Sequence, residues 1–461
     1  MSGSVWLPPG ARPDTMPGIP RQRTPSWARP DPVDALAERL DDFVAAAVHP
    51  DEIAALLESD GMSDDQIRER YGLKNSFALA EELYERVERR YPEPEGPVHD
   101  PWQVGLLGCL LRGVVFALPG FGYVLGAPLM TGPRDFGLPA GTIPLLAGAL
   151  VGWTWNQGLA HRAYSWLGLG DRAAAKRSLL LGAPTGVVLG ALAALLVAGT
   201  GDMTGVAFAA GQSLYLGAST VLLVLGRERA LLLALLPMAA GAAMALVHTP
   251  STALRLVLLL GSLLAVVVLG LLELRDEQRR TRGRQSTMGP QLLSSLPYAL
   301  FGLGTGVLVL YAALDNALAA VALTLSMGPS EWLLHRFRSG SLAGLRNTST
   351  ARAFWRTTVT TLVECLTAYL ATLLVLGLAM SALSPGLLVL GVVLWTGLLL
   401  QSFGAILSAT AVCCAAALTQ TLALLTHTGD PHWGALIVHG TAAAAQAALV
   451  CALLGRATAH R

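Results

Sequence analysis

The sequence is poor in charged residues and has no recognisable catalytic or metal-binding motif. Only 14% of its 461 residues are Asp, Glu, Lys or Arg, whereas 53% are hydrophobic and the mean hydropathy is +0.52. A soluble protein of this length cannot bury so apolar a composition, so the chain is predicted to be an integral membrane protein. The polar segments contain no phosphate-binding loop, nucleophile elbow, zinc motif or paired carboxylates. We therefore predict no enzymatic activity, no catalytic residue, no cofactor and no metal.

The five cysteines also lack the spacing of a metal or disulfide site. Each lies inside an apolar run, and none belongs to a Cys-x-x-Cys or Cys/His pattern. This placement is typical of small buried hydrophobic residues. The five are Cys109, Cys365, Cys413, Cys414 and Cys451.

The N-terminal segment has no long apolar run and carries most of the acidic residues. Residues 1–32 are rich in Pro and Arg and have no secretory leader, so we expect a disordered tail and a cytosolic N-terminus. Residues 33–92, the head, show helical apolar spacing and predict three or four short helices, with a capping box formed by Ser63 and Gln66. Residues 93–102 are a predicted linker.

The head resembles a helix-turn-helix only superficially, around Asp60-Gly61 and Gly72. Its acidic surface would repel phosphates, so nucleic-acid binding is not predicted. The head is interpreted as a docking or regulatory domain for a cytosolic protein.

After the linker, the chain becomes a series of apolar runs, each near the ~20 residues that cross ~30 Å of hydrocarbon. The fold is therefore predicted to be all-α and polytopic, with a first transmembrane half at 103–274, a basic cytosolic loop at 275–291, a second half at 292–456 and a cytosolic tail at 457–461. The twelve predicted spans are 104–127, 138–160, 178–200, 204–226, 230–248, 252–273, 292–314, 317–334, 357–381, 385–403, 405–426 and 433–455.

The positions of the basic residues predict the orientation. With the head in the cytosol, the inward-facing loops contain nearly all later Arg and Lys residues, as the positive-inside rule requires. Both termini are then cytosolic, and the bilayer is the inner or plasma membrane of a cell. The basic residues of the inner segments are Arg162, Arg172, Lys176, Arg177, Arg227, Arg229, Arg275, Arg279, Arg280, Arg282, Arg284, Arg336, Arg338, Arg346, Arg352 and Arg356.

Two local matches indicate that the second half repeats the first. The segment 116–122 (FALPGFG) aligns with 298–304 (YALFGLG), and 159–162 (LAHR) aligns with 333–336 (LLHR). One insertion in the first outer loop reconciles the two alignments. They predict a parallel six-plus-six duplication, with a cleft between the halves that suits alternating access.

Charged residues inside the spans are candidates for function because a charge in hydrocarbon is costly. Arg112 in the first span is interpreted either as a binding group for an anionic substrate head or as a snorkelling or structurally paired cation. Glu364 in the ninth span is predicted to be its ion-pair partner or a proton carrier. Glu331 and Glu273 are interpreted as interfacial charges, the first near His335.

Uncharged polar residues and prolines of the spans supply further candidates. Asn156, Gln157 and Gln212 are candidate substrate contacts, although interhelical hydrogen bonding is their more ordinary role. Pro119 and Pro297 are predicted to interrupt the first and seventh spans as hinges. Interhelical hydrogen bonds are also the interpretation for the polar residues of the last two spans, which are Gln420, His439 and Gln446.

The chain resembles the multidrug/oligosaccharidyl-lipid/polysaccharide exporter superfamily, in particular its polysaccharide flippases. The resemblance is carried by residues 155–182 (WNQGLAHRAYSWLGLGDRAAAKRSLLLG), by 330–360 (SEWLLHRFRSGSLAGLRNTSTARAFWRTTVT) and by the Pro-interrupted first span, and it covers roughly 102–456. It implies export of a lipid-linked glycan or another anionic amphiphile. Arg112 would be the first-helix cation that binds the anionic group of this substrate. The acidic head is not part of the usual pattern and leaves coupling to a cytosolic glycosyltransferase open.

Two alternatives remain. A major-facilitator-type transporter shares the twelve spans and the parallel repeat, but its loop signature after the second span is absent, because Leu167 stands where Gly is expected before Asp171. A non-transporting scaffold that recruits a partner through the head is the other alternative.

Overall fold

A computed structural model describes residues 31–88, 90, 105–130, 138–199, 201–245, 247–278, 290–347, 350–427 and 431–454. Throughout those ranges the regular secondary structure is helical, without a β-strand. The chain divides into two compact units, residues 1–99 and 100–461. The predicted linker and C-terminal tail, most of the N-terminal tail and most of the basic loop lie outside the described residues.

The described part of the first unit contains five short helices instead of the three or four that the sequence predicts. The apolar residues at helical spacing form one core, in which Ile53, Leu57 and Leu83 have no exposed surface. The helices are α1 (Pro32–Arg39), α2 (Asp41–Ala46), α3 (Pro50–Ser59), α4 (Asp64–Tyr71) and α5 (Ser76–Arg86).

Side-chain caps fix the ends of these helices. The predicted capping box of α4 is confirmed, because the backbone N–H of Gln66 donates to Ser63 Oγ and the N–H of Ser63 donates to Gln66 Oε1. Gly72 ends α4 in the left-handed conformation that glycine adopts without strain, at φ 73°. Arg86 at the end of α5 forms ion pairs with Asp31 at 2.8 Å and with Glu82 at 2.8 Å, which ties the start of the described head to its last helix.

The second unit consists of the long apolar helices. Residues 279–289 separate a first half, α6–α12, from a second half, α13–α18. The helices are α6 (Leu106–Ala117), α7 (Gly120–Gly126), α8 (Thr142–Gly168), α9 (Arg172–Ala198), α10 (Met203–Val224), α11 (Glu228–Met244), α12 (Thr252–Gln278), α13 (Leu296–Asp315), α14 (Ala317–Asn347), α15 (Ala351–Ala379), α16 (Pro385–Ser402), α17 (Ile406–Leu425) and α18 (Pro431–Leu454).

Among the described residues, ten helical segments are long and apolar enough to cross a membrane, and they mark a multi-pass membrane protein. The first of them joins α6, α7 and a 3₁₀ turn, and the fifth joins a 3₁₀ turn to α13. The predicted second and fifth spans are also helical, as α8 and α11, but are not among the ten. Helix α11 has 17 residues, and α8 carries Asn156, Gln157, His161 and Arg162 in its later turns.

Several helices extend well beyond the apolar runs. Helix α14 has 31 residues and is about 46 Å long, so it exceeds the hydrocarbon thickness of ~30 Å. The basic residues that the sequence assigns to inward loops accordingly lie largely on helices, with Arg162 on α8, Arg336 on α14 and Arg356 on α15. The extension is possible because a helix satisfies its own backbone hydrogen bonds in water as well as in lipid.

The two predicted proline hinges have different surroundings. Pro119 lies between α6 and α7 and interrupts the first span, as expected. Pro297, in contrast, lies in the first turn of α13, where no helical N–H bond is lost, so it does not break that helix. The predicted burial of the cysteines is confirmed for Cys109, Cys365 and Cys413. In contrast, Cys414 is partly exposed and Cys451 is exposed.

Packing within each half follows a similar order. In the first half, α8 packs against α9 and α10, α12 against α10 and α11, and α7 against α11. In the second half, α14 packs against α15 and α16, α18 against α16 and α17, and α13 against α17. The main contacts between the halves are made by two helix pairs, α6 with α14 and α8 with α13.

Candidate functional site

The strongest cluster of charges in the second unit surrounds Arg112, at the contact between α6 and α14. The Nε atom of Arg112 lies 2.7 Å from Oε1 of Glu228, and its Nη1 pairs with Oε1 of Glu331. The Nε2 atom of His335, one turn further along α14, lies 3.9 Å from the same Glu331 oxygen. We call Arg112, Glu228, Glu331 and His335 the charge cluster.

The charge cluster joins both halves through one guanidinium. Glu228 is the first residue of α11 in the first half, where a carboxylate also interacts favourably with the helix dipole. Glu331 lies on α14 in the second half. All three side chains are about a quarter to a third exposed, so the interaction is neither fully buried nor fully screened. With both carboxylates ionised, the positive charge of the guanidinium is shared between one acid from each half.

Two glycines allow α6 and α14 to approach closely beside this cluster. A Cβ on Gly113 would lie 2.9 Å from backbone atoms of Gly328, and a Cβ on Gly328 would lie 2.7 Å from the carbonyl oxygen of Cys109. Small residues at such crossings let helix backbones touch in a membrane. Pro329 follows Gly328 inside α14 and has no N–H to donate to Leu325, whose carbonyl oxygen faces Gly113 instead.

A second contact joins the halves through α8 and α13. The His161 ring stacks on Tyr298 with a centroid separation of 3.6 Å, and its Nδ1 lies 3.0 Å from Ser295 Oγ. Gly158 packs against Ala299, and the side chain of Gln157 packs against Gly302. This contact is formed by rings and small residues, whereas the contact of α6 with α14 is formed around ions.

The structure does not bring the predicted site residues together. Glu364 lies on the exposed face of α15, and among the described residues it forms no ion pair with Arg112, so the predicted partnership is wrong. Asn156 is buried in α8, and its amide donates to Gly152 O of its own helix at 2.7 Å. Gln157 lies at the contact between the halves. Gln212 lies on α10, in the wall of a separate cavity of the first half.

The partners of Arg112 were missed or misjudged in the sequence. Glu228 drew no attention because it stands between Arg227 and Arg229, where it is typical of a loop. Glu331 lies in the middle of α14, and its predicted proximity to His335 is confirmed. The dipeptide Gly328-Pro329 could have indicated the site of close approach on α14, because Gly-Pro inside an apolar run marks a helix irregularity. Glu273, interpreted as interfacial beside Arg275, pairs with Arg227 at 2.8 Å.

The polar residues of the last two spans form interhelical hydrogen bonds, as predicted. Nε2 of His439 lies 3.1 Å from Oε1 of Gln420. The hydroxyl of Thr396 donates to Oε1 of Gln446 at 2.6 Å, and the amide of Gln446 donates to the sulfur of Cys413 at 3.3 Å. These groups connect α16, α17 and α18 within the second half.

Comparison of the chain with protein-family models, with curated proteins and with solved structures gives no match.

Proposed function

We propose that the chain is a membrane transporter that exports an anionic amphiphile by alternating access between two six-helix halves. In this proposal α6 and α7 form one span, and α8 and α11 also cross the bilayer, which gives twelve spans. The substrate class suggested by the resemblance is a lipid-linked glycan or a polysaccharide precursor. The observation that carries the proposal is a single guanidinium paired with one carboxylate from each half.

The packing order supports the duplication on which alternating access depends. If α13 is taken as the counterpart of the first span, contacts recur in both halves at equivalent positions. The same equivalence converts one contact between the halves into the other. The contact of the first span with the eighth corresponds to the contact of the seventh span with the second. Such an exchange is the signature of an axis along the membrane normal. The equivalent helix pairs are α8–α9 and α14–α15, α9–α10 and α15–α16, α10–α12 and α16–α18, and α11–α12 and α17–α18.

The local sequence match of 159–162 with 333–336 falls on these contacts between halves. His161 and His335 occupy equivalent positions in the two aligned segments, and each lies at one of the two contacts. Gln157 and Glu331 are equivalent in the same way. The duplicated positions are thus the ones that face the opposite half, where a transporter changes its contacts during the cycle.

Arg112 has two states in this mechanism. While it is bound by Glu228 and Glu331, it holds α6 against α14, and its positive charge is more than compensated by the two carboxylates. The anionic group of a substrate that reaches the charge cluster competes with Glu228 and Glu331 for the guanidinium, since phosphate and carboxylate bind arginine through the same forked geometry. Substrate binding and separation of the halves are then one event.

Reconstituted protein tests this proposal. We expect wild-type protein in liposomes to move a fluorescent, nitrobenzoxadiazole-labelled prenyl diphosphate between leaflets, measured by dithionite quenching. Arg112→Ala is expected to reduce the rate by at least tenfold, because the variant loses both the anion site and the tie between halves. Arg177→Ala is the matched control, since Arg177 is an exposed arginine on α9.

A charge swap separates substrate binding from simple pairing. Arg112→Glu combined with Glu331→Arg and with Glu228→Gln, which removes the repulsion that a glutamate at 112 would meet, is expected to restore the thermal stability lost in Arg112→Ala but not the transport rate. Recovery of transport in the swapped protein would assign Arg112 a structural role only. Equal rates for wild type, Arg112→Ala and empty liposomes would remove the transport proposal itself.

The separate folding of residues 1–99 supports a second component, recruitment of a cytosolic protein such as a glycosyltransferase by the head. Deletion of residues 1–99 is expected to leave lipid movement in liposomes unchanged and to abolish co-purification of that partner from cells. A scaffold without transport activity would show no lipid movement either before or after the deletion.

A further inference from the structure

The first half contains a cavity that the transport proposal does not use. It lies between α7, α10, α11 and α12 and has a volume of about 290 Å³. It is bounded at its base by Leu235 and Met238 of α11. All of its described lining residues belong to the first half. A ligand of this cavity would therefore be held by one half alone.

The wall of the cavity is aromatic and sulfur-rich. Tyr123, Phe208 and Tyr215 present rings to it, and Met130 and Met238 present thioethers. Tyr123 and Phe208 are themselves in tilted contact, with ring centroids 5.9 Å apart. Aromatic faces and methionine sulfur favour flat aromatic ligands and adapt to their shape. None of the described residues that line the cavity is charged, which disfavours an ionic ligand.

Two polar side chains of this apolar wall have hydrogen-bonding atoms without a partner. They are Oε1 of Gln212 and Oγ of Ser262, and Ser262 is only 3% exposed. A buried polar atom without a partner costs roughly 1–3 kcal/mol. Both atoms are covered in this structure, so a ligand with an N–H or O–H donor recovers part of that cost once the Gln212 amide turns toward the cavity.

The mouth of the cavity lies between the first turns of α10 and α12. The exposed residues of the lining are Thr204 and Ala207 on α10 and Leu256 and Leu260 on α12, the last two being 42% and 60% exposed. Apolar side chains at the mouth admit a ligand from the lipid phase. We propose that this cavity binds a small, uncharged aromatic molecule that carries one hydrogen-bond donor.

The volume agrees with this class of ligand. Pockets for drug-sized molecules occupy ≈ 300–1,000 Å³, so a cavity of about 290 Å³ accommodates a compact molecule of two or three rings. A lipid-linked glycan is far larger. The site is thus distinct from a path for the proposed transport substrate. The proposal of a ligand site does not depend on the proposal of transport.

N-phenyl-1-naphthylamine is a suitable probe because it is uncharged, aromatic and has one N–H donor. Protein in phosphatidylcholine nanodiscs is expected to bind the radiolabelled probe saturably, at one molecule per chain, above the signal of empty nanodiscs. Ala207→Phe fills the mouth from an exposed position and is expected to weaken binding at least tenfold. Ala253→Phe, at an exposed position of α12 outside the lining, is the matched control and is expected to bind as wild type does.

A second comparison tests the hydrogen bond. In 1-benzylnaphthalene a CH₂ group replaces the N–H, and we expect this compound to compete two- to tenfold more weakly for wild-type protein. Gln212→Leu is expected to abolish the difference between the two compounds while the protein keeps its thermal stability. Absence of saturable binding, or undiminished binding to Ala207→Phe, would overturn the site. Equal competition by the two compounds for wild-type protein would overturn the role of Gln212.

Discussion

The two halves of the second unit share their helix order but differ in how their interiors are filled. In the second half, Trp395 of α16 has no exposed surface and stacks on Tyr369 of α15, and Gln446 is hydrogen-bonded to Thr396 and Cys413. In the first half, the side chains of Gln212 and Ser262 line a cavity, and their buried oxygen atoms have no partner. A similar packing order therefore surrounds a hydrogen-bonded amide in the second half and a cavity in the first.

The physical reason for the contrast is the balance of desolvation and hydrogen bonding. A buried amide that is paired within the protein contributes to cohesion of the surrounding helices. An amide that is not paired is costly, and it is retained where another molecule can satisfy it. Substitutions at corresponding places in the two halves should therefore have unequal effects on the free energy of unfolding.

The largest difference is expected for large-to-small substitutions. Trp395→Ala should reduce the free energy of unfolding by about 3–5 kcal/mol, because it creates a cavity in a closed interior. Leu259→Ala, on the wall of the existing cavity, should cost about 2 kcal/mol or less, since fewer contacts are lost. Unfolding by sodium dodecyl sulfate in mixed micelles measures both values. Equal losses would mean that the two interiors are equally packed.

A matched pair of glycines on α16 and α10 sharpens the comparison. A Cβ on Gly397 would lie 3.1 Å from the Phe301 ring, so Gly397→Ala should destabilise the protein by about 1–3 kcal/mol. A Cβ on Gly211 would meet only Leu263, at 3.7 Å. Gly211→Ala should therefore be neutral, or stabilising by up to about 1 kcal/mol through helix propensity. The same unfolding titration applies, and destabilisation by Gly211→Ala would contradict the open interior of the first half.

Two glutamine substitutions compare the polar groups directly. Gln446→Leu leaves Thr396 and Cys413 without their amide partner and should cost about 1–3 kcal/mol. Gln212→Leu removes an unpartnered carbonyl and should change stability by less than about 1 kcal/mol. Differential scanning fluorimetry ranks the two variants by melting temperature. The reverse ranking would show that Gln212 is the structural amide of the pair.

The smallest effect is expected in the head, which provides a reference outside both halves. The backbone N–H of Val33, and secondly Arg86, lower the pKa of Asp31 below its usual value. A lowered carboxyl pKa stabilises the folded head above the unfolded pKa of 3.8, and this contribution is lost as the pH falls through the folded pKa. Asp31→Asn should slightly reduce hydrogen-exchange protection of head peptides at pH 6, with no change in either half.

Acid titration provides the contrary outcome for the head. Wild type and Asp31→Asn should become equal in protection once the pH lies below the folded pKa of Asp31. A difference that persists at that pH would mean that the side chain stabilises the head through packing and not through its charge.

The sequence located the membrane-crossing segments because their signal is local. An apolar run of about 20 residues indicates a lipid environment by its own composition. Eleven of the predicted spans begin or end within a few residues of the helices found. Hydropathy did not predict the end of α14 or the start of α15. Both helices contain polar residues there, since α14 continues to Asn347 and α15 begins at Ala351. A helix ends where its backbone bonds end, not where the lipid does.

Arg112 was identifiable from the sequence alone, because a cation in an apolar run has few explanations. Its partners were not. Glu364 and Glu331 are both acidic residues of the second half, and only helix packing turns the first outward and the second toward α6. Glu228 is distant in sequence and reaches Arg112 because α11 begins beside α6.

The chain's composition and the spacing of its apolar residues thus determined the membrane class, the separate acidic head and the candidate cation, because each depends on the properties of contiguous residues. The tertiary structure decided which acids neutralise Arg112, which helices join the halves and where a cavity remains. Those outcomes depend on side-chain volume at helix crossings such as Gly113 with Gly328, where contacts between distant segments are set by three-dimensional packing.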